Sequence, residues 1–282
     1  MTMFYEPWLQ FKHPIVRQLA FVIASPNIIQ KIPTELSMQH SFELHDSLFW
    51  EIQFEQYLPK LLILDQTPAE LIDFIKQLKS TRLGLRFEHL MWFWLKDSAY
   101  HSFQMIGHSI QMIDGKNTLG ELDFLVFNQE TNKVEHWEVA LKFYLAEMDL
   151  LLPHWYGLNR SDTLFRKLNH FTTKQFQFSQ ALDQTIEQRF VILKGQLYLP
   201  LTFKNKLMHS QVLPNWINTS RRIGHWGNEC LANYYRLERQ EWICSNELQS
   251  SPNAYWWYNG LYRNRRTCHD YMFRQANVLF HS

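Results

Sequence analysis

The sequence predicts an α/β fold, a mixed sheet flanked by helices. Three observations point to it. Apolar residues recur at helical spacing before residue 100, alternate at strand spacing from about 100 to 145, and return to helical spacing after 160. Short polar or glycine-containing turns separate these stretches. The composition is that of a packed protein: 46% of the 282 residues are hydrophobic and 16% aromatic, enough for a large core.

Residues 1–80 read as a mostly helical N-terminal segment. Thr67-Pro-Ala-Glu70 has the form of a capping box, with Pro68 at the first helical position. Leu71, Phe74, Ile75 and Leu78 then share one face. A second helix is expected from Gly84 to Lys96, with Phe87, Leu90, Met91, Trp94 and Leu95 on its apolar side and Glu88 beside that side. Three strands follow at about 101–113, 119–128 and 134–145. Residues 161–185 read as a helix capped by Asp162, and Phe190–Leu199 as a further strand. The units expected are the helical segment 1–80, an α/β core over 81–200 and an aromatic-rich extension over 201–282, able to pack as one compact domain.

The chemistry concentrates in two of the strands. Thr118-Leu-Gly-Glu-Leu-Asp-Phe-Leu-Val-Phe127 and His136-Trp-Glu-Val-Ala-Leu-Lys-Phe-Tyr-Leu145 carry Glu121, Asp123, Glu138 and Lys142 on segments that otherwise read as buried. A charge on a buried strand is costly unless it is paired or binds a metal. Asn128-Gln-Glu-Thr-Asn-Lys133 between them is turn-like, so an antiparallel hairpin brings Asp123 near Glu138 on one face. Glu138 and Lys142 are also four apart, the spacing of a helical ion pair. The β-branched and aromatic content of the segment favours the strand.

Other classes are excluded or set aside. There is no HExxH or CxxC pattern, no Walker loop, no GxGxxG and no GxSxG. Cys230, Cys244 and Cys268 are few and widely spaced, as in reduced thiols. The first residues lack a basic region followed by an apolar core, and the early apolar run Ile15–Ala24 is too short to span a bilayer, so a cytoplasmic location is expected. The net charge of +1 gives no global pull on nucleic acid, so any basic surface must be local. Arg263, Arg265 and Arg266, interleaved with aromatics in Tyr255-Trp-Trp-Tyr-Asn-Gly-Leu-Tyr-Arg-Asn-Arg-Arg266, are the candidate patch; a packed aromatic cluster with a solvated basic edge is the plainer reading.

The order of a helix with Glu88, a strand, a strand with Gly120-Glu-Leu-Asp123 and a strand with Glu138 resembles the PD-(D/E)XK nuclease superfamily. More narrowly, Arg82-Leu-Gly-Leu-Arg-Phe-Glu88, Thr118-Leu-Gly-Glu-Leu-Asp123 and His136-Trp-Glu-Val-Ala-Leu-Lys-Phe-Tyr-Leu145 resemble an uncharacterised bacterial family. The nuclease resemblance covers about residues 80–180. It implies a restriction-endonuclease-like core, Mg²⁺ or Mn²⁺ as cofactor, and a nucleic-acid substrate, DNA before RNA. It makes Asp123 and Glu138 metal ligands, Glu88 the helical carboxylate that completes the site, and a lysine the group beside the phosphate. The superfamily's lysine position is Ala140 here, and the lysine stands at Lys142. Lys174 and Gln175 on the following helix are further candidates to reach the substrate. A nuclease-like scaffold that binds nucleic acid or protein without turnover is the alternative.

Overall fold

The computed structural model describes residues 4–202, 213–246 and 257–275. Helices α1 (Pro14–Ala24), α2 (Ser47–Gln66), α3 (Ala69–Lys76) and α4 (Leu83–Leu95) come first. Strands β1 (Phe103–Asp114), β2 (Asn117–Asn128) and β3 (Lys133–Ala146) form a meander. A two-residue strand β4 (Trp155–Tyr156), helix α5 (Leu164–Thr173), the small hairpin β5 (Gln180–Ala181) and β6 (Gln184–Thr185), and strand β7 (Gln188–Pro200) follow. Strands β8 (Gly224–Gly227), β9 (Tyr234–Arg236), β10 (Gly260–Asn264) and β11 (Asp270–Phe273) complete the described elements.

One large mixed sheet runs β1-β2-β3-β7-β8-β11-β10-β9, with β4 added to β3. Strand β3 is its spine: antiparallel to β2 and parallel to β7. Nearly every residue of β3 is buried, as expected of a strand covered on both faces. On one side Trp137, Val139, Leu141 and Phe143 pack with α1, α2 and α4; on the other Ala140 and Tyr144 pack with Leu164, Leu168 and Phe171 of α5. The C-terminal strands extend this same sheet, so the extension expected from the sequence is continuous with the core through β7 and β8.

Several expectations change in detail. Thr67 does not begin a helix; it closes α2, its hydroxyl donating to the Ile63 carbonyl, and α3 starts after Pro68 without a side-chain cap. The helix expected over 161–185 is shorter. It is capped by Thr163, which accepts from Arg166 N, and ends at Thr173; the rest forms a 3₁₀ turn and the small β5–β6 hairpin. Leu182 and Asp183 take positive φ at the tip of that hairpin, a turn the apolar spacing does not encode.

Gly195 is the tightest backbone position. It sits opposite Lys142 in the β3–β7 register with φ +126°, and a β-carbon there would lie 1.9 Å from the Lys142 carbonyl oxygen. Gly195→Ala is expected to cost about 3 kcal/mol or more through the clash and the disfavoured φ. Urea unfolding of the two proteins measures it, and a loss under about 1 kcal/mol would mean that the β3–β7 pairing is looser than described.

Candidate functional site

The site forms where the sheet splits. Strands β2 and β3 pair from Asn128↔Lys133 up to Phe124↔Trp137 and then part. Beyond that point β2 stays with β1 and β3 stays with β7. Asp123 and Glu138 are the first residues on each arm past the last pair. Parting strands leave ladder N–H groups without carbonyl partners, and buried N–H groups need acceptors. The two carboxylates supply them crosswise: Val139 N donates to Asp123 Oδ2 at 2.8 Å, and Asp123 N to Glu138 Oε1 at 3.4 Å.

Glu138 is held from further sides. His136 Nε2 lies 2.7 Å from its Oε1, and Gln175 Nε2 donates to its Oε2 at 2.6 Å. His136 is fully buried, and burial depresses its pKa to about 3, so the ring is neutral and its Nε2 shares a hydrogen bond with the Glu138 carboxyl group. Burial raises Glu138 to about 7 against the hydrogen bond from Gln175 and the nearby Lys167 ammonium. Asp123 is also raised well above the carboxylate range, first by burial and then by Glu138. The pair therefore holds protons toward neutral pH, and a cation at the fork would displace them.

The other predicted residues fall in different places. Glu88 reaches toward β1, with Oε1 2.9 Å from His108 Nε2 and accepting from Ser109 Oγ at 3.3 Å. Its charge is felt by both Asp123 and Glu138, but among the described residues no three His, Cys, Asp or Glu side chains gather closely enough to hold a metal ion. The expected three-carboxylate set is thus a pair, Asp123 and Glu138, with Glu88 standing off on His108. Two carboxylates suit Mg²⁺ or Mn²⁺, which completes its shell with water.

Lys142 is engaged elsewhere: its Nζ is 2.6 Å from Asp162 Oδ2. Glu121 is exposed; Gln175, in the 3₁₀ turn after α5, does reach the fork, where its amide is engaged by Glu138. Lys174 is exposed at the end of α5. The residue that the sequence reading missed is Lys167. Its charge interacts with Glu138, Asp123, Lys142 and Asp162, and burial lowers its pKa. It has no carboxylate within 4 Å among the described residues; its ammonium lies over the Phe171 ring at 4.1 Å. The signal was present: Lys167 lies three residues after Leu164 and four before Phe171, on the stripe that should have been wholly apolar.

The arginine patch needs the largest correction. Arg263 is buried, donating to Ser245 Oγ and lying 3.9 Å from Asp270 Oδ1. It serves the interior because its strand is covered on that face. Arg265 and Arg266 are exposed on the turn between β10 and β11. That hairpin is four strands from β3, about 19 Å at 4.8 Å per strand. Through the sheet register Arg263 is level with Leu145, seven residues or about 23 Å beyond Glu138. Trp257, Tyr262, Tyr271 and Phe273 beside them pack on one another as an aromatic cluster. Asp123 and Glu138 do not border the cavities of about 480, 340 and 300 Å³; the first is bordered by Lys60, Glu70 and Lys96. Among the described residues no helix is long and apolar enough to cross a membrane.

With this geometry in place, the chain was compared with known proteins. The model of a domain of unknown function, DUF1853, matches residues 17–269. The chain belongs to that family. The DUF1853 match takes in every element described between α2 and β10, the fork included. Neither the curated proteins nor the solved structures gave a match.

The raised pKa of Glu138 has a measurable consequence. Between about 4.5, its unfolded value, and about 7 the folded protein binds the extra proton, so this group makes stability fall as pH rises. Buried neutral His45 and His136 act oppositely below about 6.5. The difference between wild type and Glu138→Gln isolates the carboxylate. From pH 5 to 8 in EDTA, wild type should lose on the order of 2–3 kcal/mol relative to the variant. Parallel stability curves would mean that Glu138 is charged in the folded state at acid pH.

Proposed function

We propose that this protein is a divalent-metal-dependent phosphodiesterase acting on nucleic acid, DNA in the first place, with Asp123 and Glu138 as metal ligands. The observation that carries the reading is the fork: two carboxylates, one on each arm at the split, each accept a backbone N–H of the opposite arm and share a lysine that has no carboxylate within 4 Å among the described residues. The order α4, β1, β2, β3, α5, β7, with β3 and β7 parallel, supports a restriction-endonuclease-like core as the resemblance implies. A polymer laid across a strand fork needs no enclosed pocket, which accords with cavities that lie elsewhere.

When bound, Mg²⁺ or Mn²⁺ would polarise the phosphodiester and lower the pKa of a bound water. The chain's own residues do the rest. Asp123 and Glu138 present oxygens at the fork. His136 and Gln175 fix Glu138 by its two oxygens, so that little reorganisation is needed. Lys167, reaching over from α5, takes the place beside the phosphate that Ala140 leaves vacant in the sequence pattern, because Lys142 is tied to Asp162. An ammonium with unspent donors can orient a water or offset charge on the phosphate oxygens.

The alternative, a scaffold that binds without turnover, draws on a specific feature: both carboxylates already serve backbone and side-chain donors, as a purely structural fork would require. Turnover separates the two. With Mg²⁺ or Mn²⁺ the protein should nick or cut at least one of plasmid, duplex, branched or single-stranded DNA. Asp123→Ala and Glu138→Ala should abolish cutting. Lys167→Met should slow it by about 10²-fold or more while leaving metal affinity near wild type, and Lys142→Ala should be milder. A wild type that binds DNA but cuts none of these substrates, nor RNA, with either metal would favour the scaffold.

A further inference from the structure

We propose that a basic groove at the start of α4 holds the phosphate backbone of the strand whose scissile bond lies at the fork, a ligand choice that rests on the nuclease reading above. Two adjoining cavities, of about 340 and 300 Å³, share Arg86, Glu238 and Gln240 along their walls. Ser80 and Thr81 line the side before α4, and Arg239 lines the side opposite. Lys79 and Arg82 flank these residues in sequence and are exposed.

The cations of this groove are unspent. Arg86 is half-buried and pinned by one nitrogen: its Nε donates to Gln18 Oε1 at 2.7 Å, and Gln18 in turn donates to the Gln240 carbonyl at 3.2 Å. Its two terminal nitrogens make no hydrogen bond among the described residues, and no described carboxylate lies within 4 Å of it. Lys79, Arg82 and Arg239 likewise form no ion pair with a described carboxylate; Arg239 lies over the Trp242 ring at 4.0 Å. Glu238 and Glu241 do border the groove, but their carboxylates accept each other's backbone N–H in a capping box, and Glu241 also accepts from Asn246 N. Arg86 and Arg239 thus line the groove, with Lys79 and Arg82 beside it in sequence, against two carboxylates that are turned to the backbone.

A half-buried guanidinium with a free fork is a bidentate site for phosphate oxygens. Hydroxyls and guanidinium groups are the usual grip on a phosphate backbone, and the amide of Gln18 is spent on Arg86 and the Gln240 carbonyl. Placement fits as well. Leu83 is about 7.5 Å along α4 from Glu88, the axial rise of about two nucleotides of one duplex strand at 3.4 Å each. Arg86 and Glu88, two residues apart, point to opposite flanks of α4, so the strand would cross the first turn of the helix. Gly84 leaves that turn clear, since a β-carbon there would meet nothing within 4 Å. The groove also puts positive charge on α4, the helix that carries Glu88, whereas Arg265 and Arg266 lie on a hairpin four strands from β3.

Fluorescence anisotropy tests this with fluorescein-labelled 20-nucleotide single strands and duplexes, using Asp123→Ala protein so that nothing is cut. Adding Arg86→Gln and Arg239→Gln together should weaken binding about tenfold or more and flatten the slope of log K against log salt by about 1.4–1.8, as for two lost phosphate contacts. Lys79→Gln with Arg82→Gln, exposed and harmless to packing, should act in the same direction. Arg265→Gln with Arg266→Gln should change neither quantity. Groove variants that bind with parental affinity and slope, or a loss confined to the Arg265 and Arg266 variants, would overturn the inference. Groove-dependent binding by a wild type that cuts nothing would leave the groove standing and remove the nuclease reading. The same groove substitutions made in the otherwise wild-type protein, if they leave cutting intact while binding is unchanged, would remove the groove alone. A wild type that binds no nucleic acid at low salt would remove both.

Discussion

The structure turns on a backbone problem: two neighbouring strands part inside a buried sheet. Past Phe124 and Trp137 the ladder between β2 and β3 ends, yet the N–H groups of Asp123 and Val139 remain shielded from water. Leaving a buried donor unsatisfied costs about 1–3 kcal/mol. The carboxylates of Asp123 and Glu138 answer that cost; burial raises the proton affinity of both, and the charge of Glu138 raises that of Asp123 further. The feature that lets the sheet open is therefore the one that makes the opening chemically active. His136, Gln175 and Lys167 are arranged around that pair, drawn from β3 and from the helix and turn that follow it.

Much of this was legible in the sequence, for a physical reason. Period-two alternation is strong in β2 and β3, so the strands, the hairpin and the proximity of Asp123 to Glu138 could be read from residue types alone. The helix of Leu83–Leu95 follows from its apolar spacing in the same way. What could not be read was the split itself. Nothing in the pattern of Thr118–Phe127 says where pairing with β3 stops. Glu88 was placed on the right helix, but its preference for His108 depends on β1, whose Ser109 takes a positive φ between two register shifts of the ladder.

The basic residues show the opposite limit. Local composition marked Arg263, Arg265 and Arg266 as one patch, yet strand alternation sends Arg263 inward and leaves only the turn residues outside. Lysines were equally deceptive. Lys142 is near the carboxylates in sequence but is captured by Asp162, while Lys167, farther along the chain, is carried to them by α5 packing on Ala140 and Tyr144. Ala140 matters here because its small side chain lets the helix approach the sheet. Ala140 shares a buried apolar cluster with Leu164, Leu168 and Phe171 of α5, and the lysine whose charge reaches the fork comes from that helix.

The central claim is that the carboxylates at the fork take a divalent cation. Crystals soaked in Mn²⁺ and measured at the manganese absorption edge test it most directly. The account predicts an anomalous peak between Asp123 and Glu138, about 2.0–2.3 Å from an oxygen of each, with Asp123 released from Val139 N or sharing its oxygens with it. A fork that keeps its crosswise hydrogen bonds at millimolar Mn²⁺, with no peak between the carboxylates, would contradict it.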